Sequence, residues 1–209
     1  MPQPPILKIA EIFPSIQGEG MRQGEPTIFV RLSGCNLRCP FCDTKSAWEE
    51  GRGTTVERVK DRIKALRKRF PAEWVCLTGG EPMLQDLGAL VRALKADGLK
   101  IQVETNGTVF RGTAADWITV SPKPGRFAVH PRFRRLAKEV KLVVTRDLAF
   151  AAVRQMRERF PSTTPLLLQP ESNASWSAAK GLRLLRRCRR NGLENVRLSV
   201  QLHKVFGLR

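Results

Sequence analysis

Three cysteines, Cys35, Cys39 and Cys42, stand in the run Gly34-Cys35-Asn36-Leu37-Arg38-Cys39-Pro40-Phe41-Cys42-Asp43-Thr44 and constrain this chain more than any other feature. Thiolates spaced C-x3-C-x2-C in one tight loop can hold three irons of a four-iron cluster, which leaves the fourth iron an open coordination position. Electron-transfer clusters normally have four protein ligands. A missing fourth therefore points to a substrate or cofactor that completes the shell, as water completes a catalytic zinc site. The competing readings are a zinc knuckle and three unrelated core thiols. Zinc sites usually pair C-x2-C elements or recruit histidine, and the histidines here are His130 and His203, both distant in sequence.

Five cysteines in 209 residues are too few for a disulfide scaffold, and the odd count with its clustering fits a reducing, cytoplasmic compartment. Cys76 in a strand and Cys188 in a basic helix read as buried small side chains. Met1-Pro2-Gln3-Pro4-Pro5 shows no charged region followed by an apolar one, and no apolar run approaches the roughly 20 residues that span a bilayer, so neither secretion nor a membrane partner is expected. With 42% hydrophobic residues the chain is expected to bury one core as a single domain over 1–209.

Apolar, branched runs alternate with helical stripes. Ile28–Leu32, Trp74–Thr78, Ile101–Glu104, Trp117–Val120, Val140–Val144, Pro165–Gln169 and Val196–Val200 read as inner, largely parallel strands. Val56, Val59, Ile63 and Leu66 recur at helical spacing, as do Leu87, Leu90, Val91 and Leu94, and helices also follow from Ala149 and from Ser177. No helix is expected from Gly107 to Asp116. The fold class is therefore α/β, an incomplete TIM-like β/α barrel with fewer helices than the eightfold form.

Such folds place chemistry beyond the carboxyl ends of the strands. Those ends are polar or glycine-rich here: Thr78-Gly79-Gly80-Glu81-Pro82, Glu104-Thr105-Asn106-Gly107, Ser121-Pro122-Lys123-Pro124 and Gln169-Pro170-Glu171-Ser172. Paired glycines let backbone approach a ligand, Glu81 can accept from an ammonium group, and the set supplies donors and acceptors suited to a ribose and an adenine. The net charge of +18 suggests a nucleic-acid surface, but the basic groups are dispersed. They lie at Lys64–Arg69, Arg132–Lys138 and Arg183–Arg190 with no aromatic-rich RNA motif beside them. Solvated faces are the favoured reading, and no direct nucleic-acid partner is expected.

The cysteine spacing resembles the signature of the radical S-adenosylmethionine (SAM) superfamily, in which the amino and carboxylate groups of SAM chelate the open iron. Gly79-Gly80-Glu81-Pro82 resembles that superfamily's GGEP element. Ser15-Ile16-Gln17-Gly18-Glu19-Gly20, Pro26-Thr27-Ile28-Phe29-Val30-Arg31 and Leu198-Ser199-Val200-Gln201-Leu202-His203-Lys204 narrow this further. With them the chain resembles, nearly end to end, the 7-carboxy-7-deazaguanine synthase family of queuosine and 7-deazapurine biosynthesis. Leu202 departs from the threonine common in that family.

The resemblance implies a carbon-nitrogen lyase that rearranges 6-carboxy-5,6,7,8-tetrahydropterin to 7-carboxy-7-deazaguanine and releases ammonia, with a 4Fe-4S cluster, SAM and Mg2+ as cofactors. It assigns Cys35, Cys39 and Cys42 to the cluster. Phe41, Cys42, Asp43, Gly80, Glu81, Ser121, Pro122, Lys123, Gln169, Pro170, Glu171 and Ser172 go to SAM. Ile16, Gln17, Gly18, Glu19, Arg31, Thr78, His203 and the α-carboxylate of Arg209 go to the pterin substrate. Thr44, a hard oxygen ligand, goes to magnesium; capping of its turn is the alternative for Thr44, and an outward salt bridge is the alternative for Arg31. An external electron donor such as flavodoxin and a homodimeric state complete the expectation. A glycyl-radical activase and a basic cluster-containing RNA-binding protein are the rival classes.

Overall fold

Branched, apolar segments become strands and amphipathic segments become helices in the computed structural model, which describes residues 6–49 and 51–208. The chain divides into two compact units. One comprises the stretch through Ile16, Glu25–Thr105 and Val109–Trp117; the other comprises Gln17–Gly24, Asn106–Thr108 and the stretch from Ile118.

The first unit carries β1 (Ile6–Ile16), β2 (Pro26–Leu32), β3 (Arg52–Thr55), α1 (Val56–Arg67), β4 (Trp74–Gly79), α2 (Gly88–Ala96) and β5 (Lys100–Thr105). Its strands are ordered β3-β1-β2-β4-β5. β2, β4 and β5 run parallel, and Ile28, Val30, Leu32, Val75, Cys76, Leu77, Ile101 and Val103 are buried, as near-continuous apolar strands require. Thr55 caps α1 by accepting from Arg58 N at 3.3 Å, and α1 and α2 bury Val59, Ile63, Leu90, Val91 and Leu94.

Two strands here correct the expectation from sequence. β1 and β3 pair antiparallel and form the edge, so Ser15 and Ile16 end a strand instead of preceding the first one. β1 buries only Leu7, Phe13 and Ser15 and carries Lys8, Glu11 and Pro14, a pattern that hides a strand from any search for apolar runs.

The second unit contains β6 (Trp117–Val120), α3 (Phe133–Leu136), β7 (Glu139–Val144), α4 (Phe150–Arg159), β8 (Leu166–Pro170), α5 (Ser175–Arg190), β9 (Val196–Leu198) and α6 (Leu202–Val205). Strands β6 to β9 pair in chain order and all run parallel. β9 ends at Leu198, two residues short of the expected Val200, and the short helices α3 and α6 were not foreseen because four-residue helices carry no periodic signal. Arg157 is buried and donates to Thr164 O at 2.6 Å, Phe160 O at 3.1 Å and Pro161 O, so its guanidinium organises the α4–β8 turn.

As expected, no helix forms from Gly107 to Asp116. Asp116 closes this connection in the first unit: its carboxylate accepts from Ile101 N at 2.8 Å and Lys95 Nζ at 2.6 Å. Burial pushes its acidity down, but the Lys95 hydrogen bond, the Ile101 N–H and the Lys95 charge together hold its pKa below the ordinary carboxylate value. A depressed carboxylate stabilises the fold above its unfolded pKa and loses that contribution as pH falls through the folded value. Asp116→Asn is therefore expected to cost about 1 kcal/mol at neutral pH and to flatten the acid limb of stability, read by urea unfolding across an acid titration.

Candidate active site

The thiol loop begins where β2 ends. Leu32 lies level with Gly79 in the parallel β2–β4 register, so the residues after both strands emerge together. Gly80 N donates to Leu32 O at 3.1 Å and Glu81 N to Gly34 O at 2.8 Å. A side chain at Gly80 would place its Cβ 2.1 Å from Gly34 O, so only glycine permits this contact. Gly34 N in turn donates to Ala47 O at 2.9 Å, which closes the base of the loop. The glycine pair thus brings backbone against the root of the cysteine loop.

Cys35, Cys39 and Cys42 form no disulfide and are half-buried inside that closed loop. Cys42 N donates to Cys39 O at 3.0 Å, and Thr44 N donates to Cys42 Sγ at 3.4 Å. Phe41 is half-buried and Asp43 exposed beside them. Among the described residues, no three His, Cys, Asp or Glu side chains gather at the spacing of a single metal ion. Glu81 is wholly buried, and its Oε1 accepts from Met83 N at 2.9 Å and Thr105 Oγ1 at 2.7 Å, so it braces the turn at Pro82–Leu84 from within.

Arg31 sits between Glu11 and Thr78 across three adjoining strands, because Glu11 pairs with Arg31 in the β1–β2 register and Arg31 with Thr78 in β2–β4. Its Nε donates to Glu11 Oε1 at 2.6 Å, and its guanidinium lies 5.5 Å from the Phe13 ring centre, which itself stacks on Phe29 at 5.2 Å. Nη1 also reaches Thr44 Oγ1 at 3.5 Å. The Thr44 hydroxyl donates to Asp43 Oδ1 at 3.2 Å and makes no capping bond to the following turn. Glu11 is a residue that the sequence reading missed, since the strand carrying it was itself missed.

In the second unit the Gln17–Gly20 segment is locked by buried charge. Lys141 Nζ donates to Glu19 Oε2, and Gln201 Nε2 donates to Glu19 Oε1 at 2.7 Å. Glu139, two residues earlier on the same face of β7, accepts from Met21 N at 2.7 Å and Thr119 Oγ1 at 2.7 Å. Gly20 has φ +75°, and a Cβ there would meet Glu139 Oε1 at 2.3 Å, so glycine is required twice over. Leu202 N donates to Gly18 O at 2.8 Å, and Gln23 Nε2 bridges Gly18 O and Val200 O. The His203 ring lies against Gly18. Gln17 is buried, and its Oε1 accepts from Glu19 N at 3.1 Å. Both sequence ends of interest, Gln17–Gly20 and Gln201–Lys204, are therefore one structure. Arg209 lies outside the described residues.

The strand-end residues of this unit are mostly buried polar groups. Lys123 Nζ donates to Ser121 Oγ at 2.7 Å, beside buried Pro122. Gln169 is buried at the end of β8, and its Oε1 lacks a hydrogen-bond partner among the described residues. Pro170 is buried, and Glu171 N donates to Ser177 Oγ at 2.8 Å. Ser172 and Asn173 adopt left-handed φ values of 49° and 56°, held by Lys204 Nζ on Ser172 Oγ and by reciprocal bonds between Asn173 and the Gln201 backbone.

Comparison with known proteins is decisive for the family. The Radical SAM superfamily model matches residues 29–182. The 7-carboxy-7-deazaguanine synthase of Aquifex aeolicus is 36% identical over 98% of this chain and 95% of its own length, and that of Synechocystis is 35% identical over 96% and 93%. The chain belongs to the 7-carboxy-7-deazaguanine synthase family of radical SAM proteins. The crystal structure of QueE from Escherichia coli matches 95% of each chain with a TM-score of 0.78 at 31% identity. A structure of TYW1 with a lysine-pyruvate adduct bound, at 16% identity and a TM-score of 0.57, shares the fold alone. The expected incomplete TIM-like β/α barrel is the fold of this family member.

A 4Fe-4S cluster and SAM are this radical SAM protein's cofactors. The residues present fit them. Three thiols outside any disulfide occupy one loop with a backbone N–H already on Cys42 Sγ, and hydrogen bonds to cluster sulfurs are a known tuning element. The unpartnered Gln169 Oε1 is a buried acceptor waiting for a donor.

Lys141, Glu139, Gln23 and Asn173 were missed by sequence reading. A signal for the first two existed: charged side chains in an otherwise apolar inner strand. Removing one partner of a buried pair strands the other charge, so Lys141→Met is expected to lower unfolding stability by about 3 kcal/mol, with much of the loss recovered in Lys141→Met/Glu19→Gln. Denaturant melts of the single and double variants check this.

Proposed function

We propose that this chain converts 6-carboxy-5,6,7,8-tetrahydropterin to 7-carboxy-7-deazaguanine with release of ammonia, as a radical SAM lyase of queuosine biosynthesis. The observation that carries the reading is the pairing, in one chain, of a three-thiol loop fixed at its base with a Gln17–Gly20 segment locked to the Gln201–Lys204 end. A zinc knuckle or a simple RNA-binding module has no use for the second element. A glycyl-radical activase shares the first but not the second.

In this reading Cys35, Cys39 and Cys42 hold the cluster. When bound, the reduced cluster and SAM supply the 5'-deoxyadenosyl radical that takes hydrogen from the pterin. The chain's own residues bind and orient. Backbone at Phe41–Asp43 and Gly80, together with Ser121, Pro122, Lys123 and Gln169–Ser172, serves SAM. Glu81 acts indirectly, since it holds the turn that follows Gly80. Gln17, Gly18 and backbone at Ile16 receive the pterin, with Thr78 at the level of Arg31.

Arg31 is suited to a substrate carboxylate because Glu11 and Phe13 already fix its guanidinium plane, which lowers the entropy lost on binding. Glu19 has both carboxylate oxygens engaged by Lys141 and Gln201, so its part is to hold the loop that presents Gln17 and Gly18. Thr44 is placed to offer a hydroxyl oxygen to Mg2+ without losing a cap, since it makes none. No helix among the described residues is long and apolar enough to cross a membrane. The reading includes a homodimer, an external electron donor such as flavodoxin and a cytoplasmic location, the last in keeping with thiols that form no disulfide.

Anaerobic reconstitution with iron and sulfide, followed by incubation with the carboxypterin, SAM, Mg2+ and reductant and mass detection of product, tests the reading. Cys35→Ala, Cys39→Ala and Cys42→Ala are each expected to lose the brown chromophore and all turnover, whereas Cys76→Ala and Cys188→Ala keep both. Retention of a full cluster by any of the first three refutes the assignment.

The metal role is tested separately. Thr44→Val is expected to lower turnover roughly tenfold and to blunt its dependence on added Mg2+, while iron content and SAM binding stay near normal. Superimposable Mg2+ titrations of the two proteins argue that Thr44 serves only its contacts with Asp43 and Arg31.

A further inference from the structure

The charge of +18 looks dispersed along the sequence, yet α5 draws part of it into one line. Trp176, Lys180, Arg183, Arg187 and Arg190 follow one another at intervals of four, three, four and three, which sets them on a single helical face with Arg186 at its border. The buried face, made by Ser177, Gly181, Leu184 and Cys188, is turned elsewhere. At a rise of about 1.5 Å per residue, the line from Trp176 to Arg190 extends about 21 Å.

Nothing within the helix balances this charge. α5 contains no Asp or Glu, and Arg183, Arg186, Arg187, Arg189 and Arg190 are all exposed. Among the described residues, none of these five forms an ion pair. Like charges three and four apart disfavour a helix. The negative end of the helix dipole offsets Arg187, Arg189 and Arg190 in the last turn, and Lys180 Nζ donates to Thr145 O at 2.9 Å and to Arg146 O, but neither offset reaches Arg183 or Arg186.

Two guanidinium groups are laid on aromatic faces beside the line. Arg187 lies 4.3 Å from the Phe150 ring centre, and Arg146 lies 4.6 Å from that of Trp176, whose ring remains half-exposed at the N-terminal end of the stripe. Held planar groups suit bidentate contact with phosphate oxygens. An acidic protein partner would call for an apolar centre ringed by charge. The exposed apolar residue of α5, Leu182, stands off this line, so the stripe itself is charge and one indole.

We propose that this face of α5 binds the phosphate backbone of a nucleic-acid strand, with Trp176 as a stacking surface at one end. The sequence alone pointed away from such a partner because it gave no way to see which of the basic residues share a face.

Fluorescence anisotropy on the full-length reconstituted protein tests this, using labelled single-stranded RNA and DNA of about 20 nucleotides and a poly-glutamate of matched charge. Arg183→Gln/Arg186→Gln/Arg190→Gln is expected to weaken nucleic-acid binding at least tenfold and to make the slope of log affinity against log salt shallower by about 2 to 3. An equal charge loss at and just beyond the C-terminal end of α1, Lys64→Gln/Lys68→Gln/Arg69→Gln, is expected to change binding by less than about twofold, and pterin turnover is unchanged in both. Preference between RNA and DNA identifies the source of the phosphates, and either supports the proposal. Equal weakening by the two triple variants assigns the effect to diffuse charge and overturns it. So does poly-glutamate that binds as tightly as nucleic acid, which would mark an acidic polypeptide as the partner, or failure of both strands to bind.

Discussion

The thiol loop depends on one backbone approach, Gly80 against Gly34. Parallel pairing sets β2 and β4 to finish level, with Leu32 beside Gly79, and the two chains then remain in contact past the end of the sheet. A Cβ at position 80 would sit 2.1 Å from Gly34 O, so no other residue permits the Glu81 N–Gly34 O bond. Everything that the loop carries inherits its placement from that contact. The loop's other end returns through Gly34 N to Ala47 O, and Ala47 is fully buried. A loop fixed at both feet loses little further entropy when a cofactor orders its tip, which is the physical advantage of anchoring by backbone.

The second unit solves a comparable problem with charge. Glu139 and Lys141 share one face of β7 and are nearly inaccessible to water, a costly arrangement unless each is paired and hydrogen-bonded. Both are. Glu139 takes the Met21 N–H and the Thr119 hydroxyl, and Lys141 takes Glu19, whose other oxygen takes Gln201. Neutral contacts would let the Gln17–Gly20 segment slide. Paired charges that are satisfied in only one register favour a single position, which is the specificity that buried polar networks supply when every member has its partner.

What the sequence made legible follows from what local pattern can encode. The inner strands, α1, α2, α4 and α5 all appear close to their expected bounds because continuous apolar runs and 3.6-residue stripes are local signals. The cysteine spacing and the polar strand ends were equally legible, since chemistry-bearing residues stood next to turn glycines. β1 and β3 were not, because a half-buried edge strand dilutes its apolar residues with Lys8, Glu11 and Pro14. The contacts of Glu81 were hidden for a related reason: its position after the glycine pair is visible in the sequence, but its direction is set by Thr105 and the Met83 N–H, one of them distant in the chain.

The same limit explains Arg31. The sequence offered a salt bridge as one alternative for Arg31, and the structure shows one: Glu11 and Phe13 hold the guanidinium from one side, while Thr44 touches it from the thiol loop. An arginine fixed in this way keeps its plane without help from a ligand. Exposed arginines on flexible stems surrender rotamer freedom when they bind, whereas one already stacked and paired has surrendered it on folding. The carboxylate of Glu11, partly exposed at the edge of the sheet, thus sets the direction of the Arg31 guanidinium by folding alone.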